Sequence, residues 1–247
     1  MPSGKCRLSP LKARHHENTQ LVHQTWKTSS APLRWRHLIR SVKRNHPGWT
    51  YRLWTDDEMD ALVRANHPGL YPVYRAFEKN IMRADVFRYV VMHDLGGVYC
   101  DLDYEFLRPF PYGDAQVVLG EEKSPAQGDS RRIIANYVFA SVPGHPLWKD
   151  MLDDLVRNPP VVRDLNDIVM ATGPGFLTRI LIANRDRYEG VEIKAKPVFS
   201  PQRARGGGEG ARQVAAGAYG MHHAWGSWKE RLSAFYLRQK VLRMLRK

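Results

Sequence analysis

Segments typical of β-strands and of α-helices alternate along most of this 247-residue chain. Apolar and β-branched runs of strand length are separated by longer segments in which apolar residues recur at helical spacing. The expected strands are TQLVHQTWK, WTYRLWT, VYC, QVVLGEE, IIANYVFASV and VEIKAKPVF. Strands that alternate with helices favour a largely parallel sheet that is covered by helices on both faces. The sequence therefore predicts an α/β fold with a mostly parallel, Rossmann-like sheet flanked by helices.

Two local signals define the ends of expected helices. Thr55 and Glu58 have the spacing of a capping box, which predicts a helix over residues 56–66. Further along, the segment NIMRADVFRYVVMHD carries an apolar stripe at helical spacing and is soon followed by two glycines at 96–97, which suit the end of a helix. The strand VYC should follow directly after these glycines.

The net charge of +13 comes mostly from the two ends of the chain. Lys and Arg are concentrated in residues 1–18 and 229–247, whereas the rest is nearly balanced. We therefore expect a basic leader (1–18), one domain (19–228) and a basic amphipathic C-terminal helix (229–247), and we expect no nucleic-acid partner. Leucines and aromatic residues lie at near-helical intervals among the C-terminal cations, a pattern that permits peripheral contact with an anionic membrane surface.

Hydropathy gives an expectation for location. No segment has the roughly 20 consecutive apolar residues of a transmembrane helix, and the first residues lack the apolar centre of a signal peptide. These features predict a protein that is cytoplasmic or peripheral at a membrane surface. The two cysteines, Cys6 and Cys100, cannot form a disulfide framework and do not have the spacing of metal ligands.

Two carboxylates, Asp101 and Asp103, come directly after the strand VYC. In extended chain, residues i and i+2 point the same way, so both carboxylates should share one side, with Cys100 and Leu102 on the other. Open α/β sheets bind ligands at this edge. Two like charges repel unless a cation or a proton joins them. Hard divalent ions bind one or two carboxylates together with water and diphosphate oxygens. In the alternative interpretation, the two carboxylates are solvated at the end of the strand and bind nothing.

Asp85 and Arg88 lie three residues apart, on one face of the predicted helix and opposite its apolar stripe. One interpretation is a surface ion pair that contributes little to stability. The other assigns the carboxylate to ribose hydroxyls and the guanidinium to phosphate or sugar oxygens. The ordered set R-A-D-x-x-R and L-G-G-V-Y-x-D-x-D is more specific than either pair alone.

This ordered set resembles glycosyltransferase family 32, a family of D-x-D sugar transferases that includes fungal outer-chain and sphingolipid mannosyltransferases and is related to the catalytic domains of clostridial glucosylating toxins. The resemblance covers about residues 21–228. It rests on the segments LVHQTWK, NHPGWTYRLWTDDE, MRADVFRYVVMHDLGGVYCDLD, NYVFASVPGHPLW, ATGPGFLT and HHAWGSW, in the order that the family has them. It implies a fold of the GT-A type and a bound Mn²⁺ or Mg²⁺. It also implies transfer of a hexose, with retention, from a GDP- or UDP-sugar to a glycan or lipid acceptor.

The resemblance also implies roles for single residues. Asp101 and Asp103 would be the catalytic pair, with Asp103 as a metal ligand, and His222 or His223 would complete the metal site. The implied donor contacts are Trp26 (the base), Asp85 and Arg88 (ribose and sugar hydroxyls), Asp101 (sugar or ribose), Asn136 (the sugar), and Ser227 and Trp228 (near the phosphates). The doubled histidine leaves its assignment open, and Trp26 and either histidine suit a structural role equally well.

Two other classes of function stay open on the sequence alone. An aspartate pair after an apolar strand also suits a haloacid-dehalogenase-like phosphatase with Asp101 as nucleophile. That pattern expects Thr or Val where this chain has Glu105, and it normally follows the first strand of its domain. The basic ends suit a non-enzymatic module that binds polyanions.

Overall fold

The computed structural model describes residues 19–123, 132–201 and 217–224 of the chain. The strands are β1 (Leu21–Thr25), β2 (Thr50–Trp54), β3 (Gly97–Cys100), β4 (Tyr104–Phe106), β5 (Val117–Lys123), β6 (Ile133–Ser141), β7 (Val191–Lys194) and β8 (Gly220–His222). The helices are α1 (Arg36–Asn45), α2 (Asp56–Asn66), α3 (Tyr71–Ala76), α4 (Asn80–Asp94), α5 (Pro146–Arg157), α6 (Leu165–Ala171), α7 (Pro174–Ala183) and α8 (Lys196–Phe199). The predicted leader and the predicted C-terminal helix lie outside the described residues.

Six strands form the central sheet, in the order β2-β1-β3-β6-β5-β7. The pairs β1–β2, β1–β3 and β5–β7 are parallel, which confirms the predicted α/β fold with a mostly parallel sheet. β6 is antiparallel to both β3 and β5. The chain from β5 to β6 is shorter than the dozen or more residues that a parallel crossover needs. The direction of β6 therefore follows from the length of this connection.

Two apolar clusters cover opposite faces of the sheet. On β3, Tyr99 packs into the cluster formed mainly by α2, α4, α5 and α7, whereas Val98 and Cys100 pack into the other one. β6 alternates in the same way, with Phe139 on the first face and Val138 on the second. This alternation is the period of two expected for a strand that is buried on both faces.

The predicted helix ends are present. Thr55 and Glu58 form the capping box at the start of α2. After α4, Gly96 and Gly97 have φ values of 63° and 91°. A β-carbon at Gly97 would lie 2.6 Å from the carbonyl oxygen of Leu21, so glycine is required both by the backbone and by the close approach of β1.

α4 differs from the prediction of an apolar stripe with a polar opposite face. The helix packs against β3, β6, α2, α3 and α5, and its central residues are buried all round. Asp85 and Arg88 are 4% and 3% exposed, so the interpretation as a surface ion pair is wrong. Polar partners from distant segments satisfy these two side chains inside the protein, as described below.

The last predicted strand is also shorter than expected. The segment VEIKAKPVF is extended only over β7 and then turns into the short helix α8. Pro197 lies at the start of α8, where a missing backbone N–H is tolerated. Within the described ranges, no helix is long and apolar enough to cross a membrane.

Candidate active site

A tight turn after β3 brings Asp101 and Asp103 together. The amide of Asp101 donates to the carbonyl of Tyr137 on β6 (2.8 Å), and the amide of Tyr104 donates back to the carbonyl of Asp101 (3.0 Å). The aspartates therefore lie on a turn and not in an extended strand. The alternation of side chains along a strand is thus the wrong explanation for their convergence. The expected convergence of the two carboxylates is nevertheless present.

His222 faces both carboxylates from β8. This strand pairs antiparallel with β4, with Tyr104 opposite His222. The Nε2 atom of His222 lies 3.3 Å from Oδ1 of Asp103 and 3.9 Å from Oδ2 of Asp101. One ligand atom from each of these three residues lies within 4.8 Å of the others. The three half-buried side chains form a set of two carboxylates and one imidazole that could hold a divalent ion.

His223 points to a different partner. Its Nε2 atom lies 3.0 Å from Oε2 of Glu105, and its backbone amide donates to the carbonyl of Asp103 (3.0 Å). Consecutive residues of extended chain point to opposite sides, which explains why the two histidines separate. The structure thus places His222, and not His223, beside the two aspartates.

The Arg88 guanidinium lies behind this site and bridges two acids. Its Nη2 is 2.9 Å from Oδ1 of Asp85, and its Nη1 is 3.1 Å from Oδ1 of Asp101. Nη1 also donates to the carbonyl of Asn136, and the guanidinium lies over the ring of Tyr99, 4.7 Å from its centre. The fork geometry of arginine therefore connects α4, β3 and β6 at one point.

Further donors complete this buried network. Asp85 accepts hydrogen bonds from Nδ2 of Asn136 (3.0 Å) and from Oγ1 of Thr172 (3.1 Å). The Tyr99 hydroxyl donates to Oδ1 of Asp101 (3.0 Å). Each oxygen of the Asp85 carboxylate thus has a donor inside the protein, whereas Asp101 is fixed through one oxygen and presents the other to His222.

The environment shifts the pKa of several groups at the site. Burial raises the pKa of Asp85 to about 7, against the opposing effect of Arg88, and the negative charge of Asp101 adds to the rise. Burial also raises the pKa of Asp101, again opposed by Arg88. For His222, burial favours the neutral ring, but the hydrogen bond to Asp103 and the nearby acids outweigh it and raise the pKa. The site is strongly acidic in character although the chain as a whole is basic.

Trp26 lies just past the end of β1, close to the aspartate turn. Its ring is half-buried and meets Trp35 edge-on, with the ring centres 4.5 Å apart. Leu102, the residue between the two aspartates, belongs to the same cluster. Trp26 thus has both a packing contact and a position near the site. The other two predicted donor contacts, Ser227 and Trp228, lie outside the described residues.

Sequence reasoning missed three residues of the site. Tyr99 and Thr172 hold Asp101 and Asp85, and Tyr137 stacks on the His222 ring, with centres 4.2 Å apart and planes 18° apart. All three lie inside segments that carry the family resemblance, which was the available signal. Their contacts join residues far apart in sequence, and no local pattern encodes such contacts.

Comparison with known families agrees with this geometry. Residues 32–125 match the family described as "Glycosyltransferase sugar-binding region containing DXD motif". This range contains Asp85, Arg88, Asp101 and Asp103, whereas Trp26, Asn136 and His222 lie outside it.

Curated relatives and a solved structure extend the comparison. The chain is 33% identical over 174 residues to inositol phosphoceramide mannosyltransferase 3 of Schizosaccharomyces pombe, a match that covers 67% of this chain and 45% of the relative. It is 29% identical over 164 residues to inositol phosphoceramide mannosyltransferase 1 of the same organism, which covers 64% and 50%. The chain thus spans about half the length of these relatives.

The fold has a solved counterpart in the structure titled "PaToxG Glycosyltransferase". The TM-score is 0.52 at 16% identity, and the match covers 68% of this chain and 70% of the other. This likeness supports the GT-A fold only. The matched sugar-binding region and the mannosyltransferase relatives confirm the resemblance inferred from the sequence: residues 32–125 match the DXD-containing glycosyltransferase family.

Proposed function

We propose that this protein is a metal-dependent, retaining glycosyltransferase that moves a hexose from a GDP- or UDP-sugar to a glycan or lipid acceptor. The observation that carries the proposal is the convergence of Asp101, Asp103 and His222 at the end of β3. Members of this family are defined by the DXD motif, and here the two acids of that motif lie beside a third ligand that the matched range does not contain.

The donor set fits a divalent cation. Asp101 and Asp103 offer carboxylate oxygens, which Mg²⁺ and Mn²⁺ prefer, and His222 offers an imidazole nitrogen, which favours Mn²⁺ over the harder Mg²⁺. Two neighbouring acids with only partial burial also provide a reason for a cation to bind, because their mutual repulsion is then relieved. Asp101, Asp103 and His222 are therefore the residues that would hold Mn²⁺ or Mg²⁺. His223 is the weaker candidate, since it faces Glu105.

The reaction needs negative charge near the sugar and positive charge near the phosphates. When the bond from the anomeric carbon to the diphosphate breaks, the leaving phosphate gains negative charge and the sugar ring gains positive charge. A bound divalent ion supplies Lewis-acid stabilisation of the diphosphate. Asp101, held by Arg88 and Tyr99, supplies a fixed negative charge for the ring.

The other predicted donor contacts remain part of the proposal. Trp26 is proposed to stack on the base, and Asn136, Asp85 and Arg88 to meet hydroxyls of the sugar and ribose. The burial of Asp85 and Arg88 adds a second role, because their contacts hold the Asp101 carboxylate in place. Ser227 and Trp228 remain proposed to lie near the phosphates.

The relatives narrow the choice of sugar and acceptor. Their names describe mannose transfer to inositol phosphoceramide, which makes GDP-mannose and a lipid acceptor the first pair to test. UDP-galactose and UDP-glucose are the other donors to include. If the predicted helix 229–247 contacts an anionic membrane, this contact would bring the enzyme to a lipid acceptor.

A panel of nucleotide sugars tests the proposal. The protein is mixed with Mn²⁺ and each donor in turn, and thermal stabilisation and slow donor hydrolysis are measured together. We expect one donor to give both signals, and only with the metal present. Retention is then checked by NMR of the anomeric proton of the product. Turnover of p-nitrophenyl phosphate without turnover of any nucleotide sugar would instead support the phosphatase alternative.

Membrane contact is tested separately, by co-sedimentation with liposomes that contain anionic lipid. Removal of residues 229–247 should abolish binding to these liposomes and leave donor hydrolysis in place. Binding that survives the deletion would show that another part of the chain contacts the membrane. Tight polyanion binding without any nucleotide-sugar activity would favour the non-enzymatic alternative.

A further inference from the structure

A second group of potential metal ligands lies away from the candidate active site. His67 directly follows α2, and His93 and Asp94 end α4. α4 leads into the start of β3, whereas Asp101 follows the end of this strand. The two groups are thus separated by the length of β3, about 10 Å for four residues. The proposed sugar transfer does not use this second group.

The three side chains converge on one oxygen atom. Nε2 of His67 lies 2.9 Å and Nδ1 of His93 lies 2.8 Å from the same Oδ1 of Asp94. One ligand atom from each residue lies within 4.8 Å of the other two. In a tetrahedral zinc site, neighbouring ligand atoms are roughly 3.3 Å apart, given metal–ligand bonds of about 2.0–2.1 Å. An outward shift of about half an ångström would therefore admit the ion.

The chemistry of this group differs from that of the candidate active site. Two imidazoles and one carboxylate are ligands that zinc prefers, whereas the set of two carboxylates and one imidazole suits harder ions. A fourth position remains for water, because the three side chains keep between 11% and 28% of their surface exposed. His67 also lines an open cleft beside α5, which gives an ion a path from solvent.

The surroundings support a cation at this place. Nδ2 of Asn66 donates to Oδ2 of Asp94 (2.8 Å), so the carboxylate is already oriented by an outer partner, as ligands in metal sites usually are. Both α2 and α4 end here, and the carbonyl groups at helix C-termini favour a positive charge.

We propose that His67, His93 and Asp94 form a second metal site, which binds Zn²⁺ and ties the end of α2 to the end of α4. The ligand atoms are Nε2 of His67, Nδ1 of His93 and a carboxylate oxygen of Asp94. Three protein ligands leave the fourth position of the zinc ion to water. The bound ion would join two helices of the core beyond the end of β3 that is opposite the donor site.

The test counts zinc ions and measures their affinity in the full chain. Protein stripped with a chelator is titrated with Zn²⁺ in competition with a chromophoric chelator, for the wild type, His67→Gln, His93→Gln and the control His37→Gln, which changes an exposed histidine of α1. We expect His67→Gln and His93→Gln each to lose one bound Zn²⁺ per chain, or to weaken that site at least tenfold, and His37→Gln to match the wild type. Equal stoichiometry and affinity in all four proteins would overturn the proposal.

Cobalt provides a second measurement that does not depend on folding stability alone. Co²⁺ in a tetrahedral site gives visible absorption bands, so the wild type should show them and His93→Gln should not. Circular dichroism checks that each variant is folded. If one of the two histidine variants does not fold, the other still tests the proposal. Mn²⁺-dependent donor hydrolysis should persist in both, because these residues lie away from the donor site. A wild type that binds Zn²⁺ only at millimolar concentration would contradict the assignment.

Discussion

Two acid-containing pairs, only about fifteen residues apart in sequence, occupy opposite environments in this protein. The Asp85–Arg88 pair is buried, and both oxygens of its carboxylate accept hydrogen bonds from side chains of α4, β6 and the residue after α6. The Asp101–Asp103 pair is half-buried and lies on a turn, with like charges facing one histidine. Groups of the protein compensate the charges of the first pair. The negative charges of the second pair are proposed to be compensated by a bound ligand.

This difference separates positioning from binding. A buried ion pair with full hydrogen bonding changes little during a reaction, but the loss of one partner leaves an uncompensated charge. Partly exposed acids that face one another change their energy strongly when a cation arrives. Arg88 connects the two pairs, because it contacts a carboxylate of each. The comparison therefore predicts that stability depends on the first pair and metal-dependent transfer on the second.

The largest effect is expected for Arg88→Ala. This change leaves Asp85 and Asp101 without their shared counter-ion, and we expect the free energy of unfolding to fall by about 3–5 kcal/mol. Urea denaturation measures this loss. The matched control is Arg75→Ala, since Arg75 is 53% exposed and pairs with Asp60 at the surface. Its loss should be about 1 kcal/mol or less. Similar values for the two variants would remove the distinction between the pairs.

Asp103→Asn should show the opposite behaviour. The substitution removes one charge of the Asp101–Asp103 pair. We expect kcat for transfer to fall by about 10²–10³, which is the effect of losing one strong electrostatic contact in a transition state. The free energy of unfolding should change by less than about 1 kcal/mol, because the side chain is not fully buried. The control Asp153→Asn alters an acid on α5 that pairs with Lys149, and it should keep full activity. Wild-type kcat in Asp103→Asn would contradict the site.

The doubled histidine sharpens the comparison further. His222→Gln should raise the Mn²⁺ concentration needed for half-maximal activity at least tenfold, because it removes an imidazole that faces both acids. His223→Gln should have a smaller effect, since that ring contacts Glu105. Metal titrations of the initial rate measure both. Equal effects would mean that the two rings contribute alike and that the geometry of β8 is not decisive.

A separate effect is the dependence of stability on pH through Asp85. Burial raises the pKa of Asp85 from 3.8 to about 7, so the folded protein holds a proton that the unfolded chain releases. The contribution to stability is fully present below pH 3.8 and is lost as the pH rises through about 7.

A comparison with Asp85→Asn isolates this contribution. Relative to the variant, the wild type should lose at most about 1.4 kcal/mol per pH unit between pH 4 and 7. Urea denaturation at a series of pH values measures the difference between the two proteins. A difference that stays constant across this range would show that Asp85 is ionised throughout.

The sequence predicted those features that depend on local signals. The six strands of the central sheet, the helices α2 and α4, the capping box of Thr55 and Glu58, and the glycine stop after α4 were read from short segments and are present. The strands β4 and β8 were not predicted. The order of D-x-x-R and D-x-D also led to the family, because both motifs lie within one continuous stretch.

Features that depend on distant contacts were not predicted. The burial of Asp85 and Arg88 requires partners from Asn136 and Thr172, which lie about fifty and ninety residues away in sequence. The choice between the two histidines depends on the pairing register of β4 and β8, which places His222 opposite Tyr104. The antiparallel direction of β6 was also missed, although the spacing of the predicted strands QVVLGEE and IIANYVFASV leaves too few residues for a parallel crossover.

The most direct test of the central claim is a measurement of Mn²⁺ binding at the Asp101–Asp103 pair. The concentration of free Mn²⁺ can be followed by electron paramagnetic resonance in the presence of the nucleoside diphosphate of the active donor, for the wild type and for Asp103→Asn. The account predicts one Mn²⁺ bound per chain at this site in the wild type and at least tenfold weaker binding in the variant. Equal binding by the two proteins would contradict it.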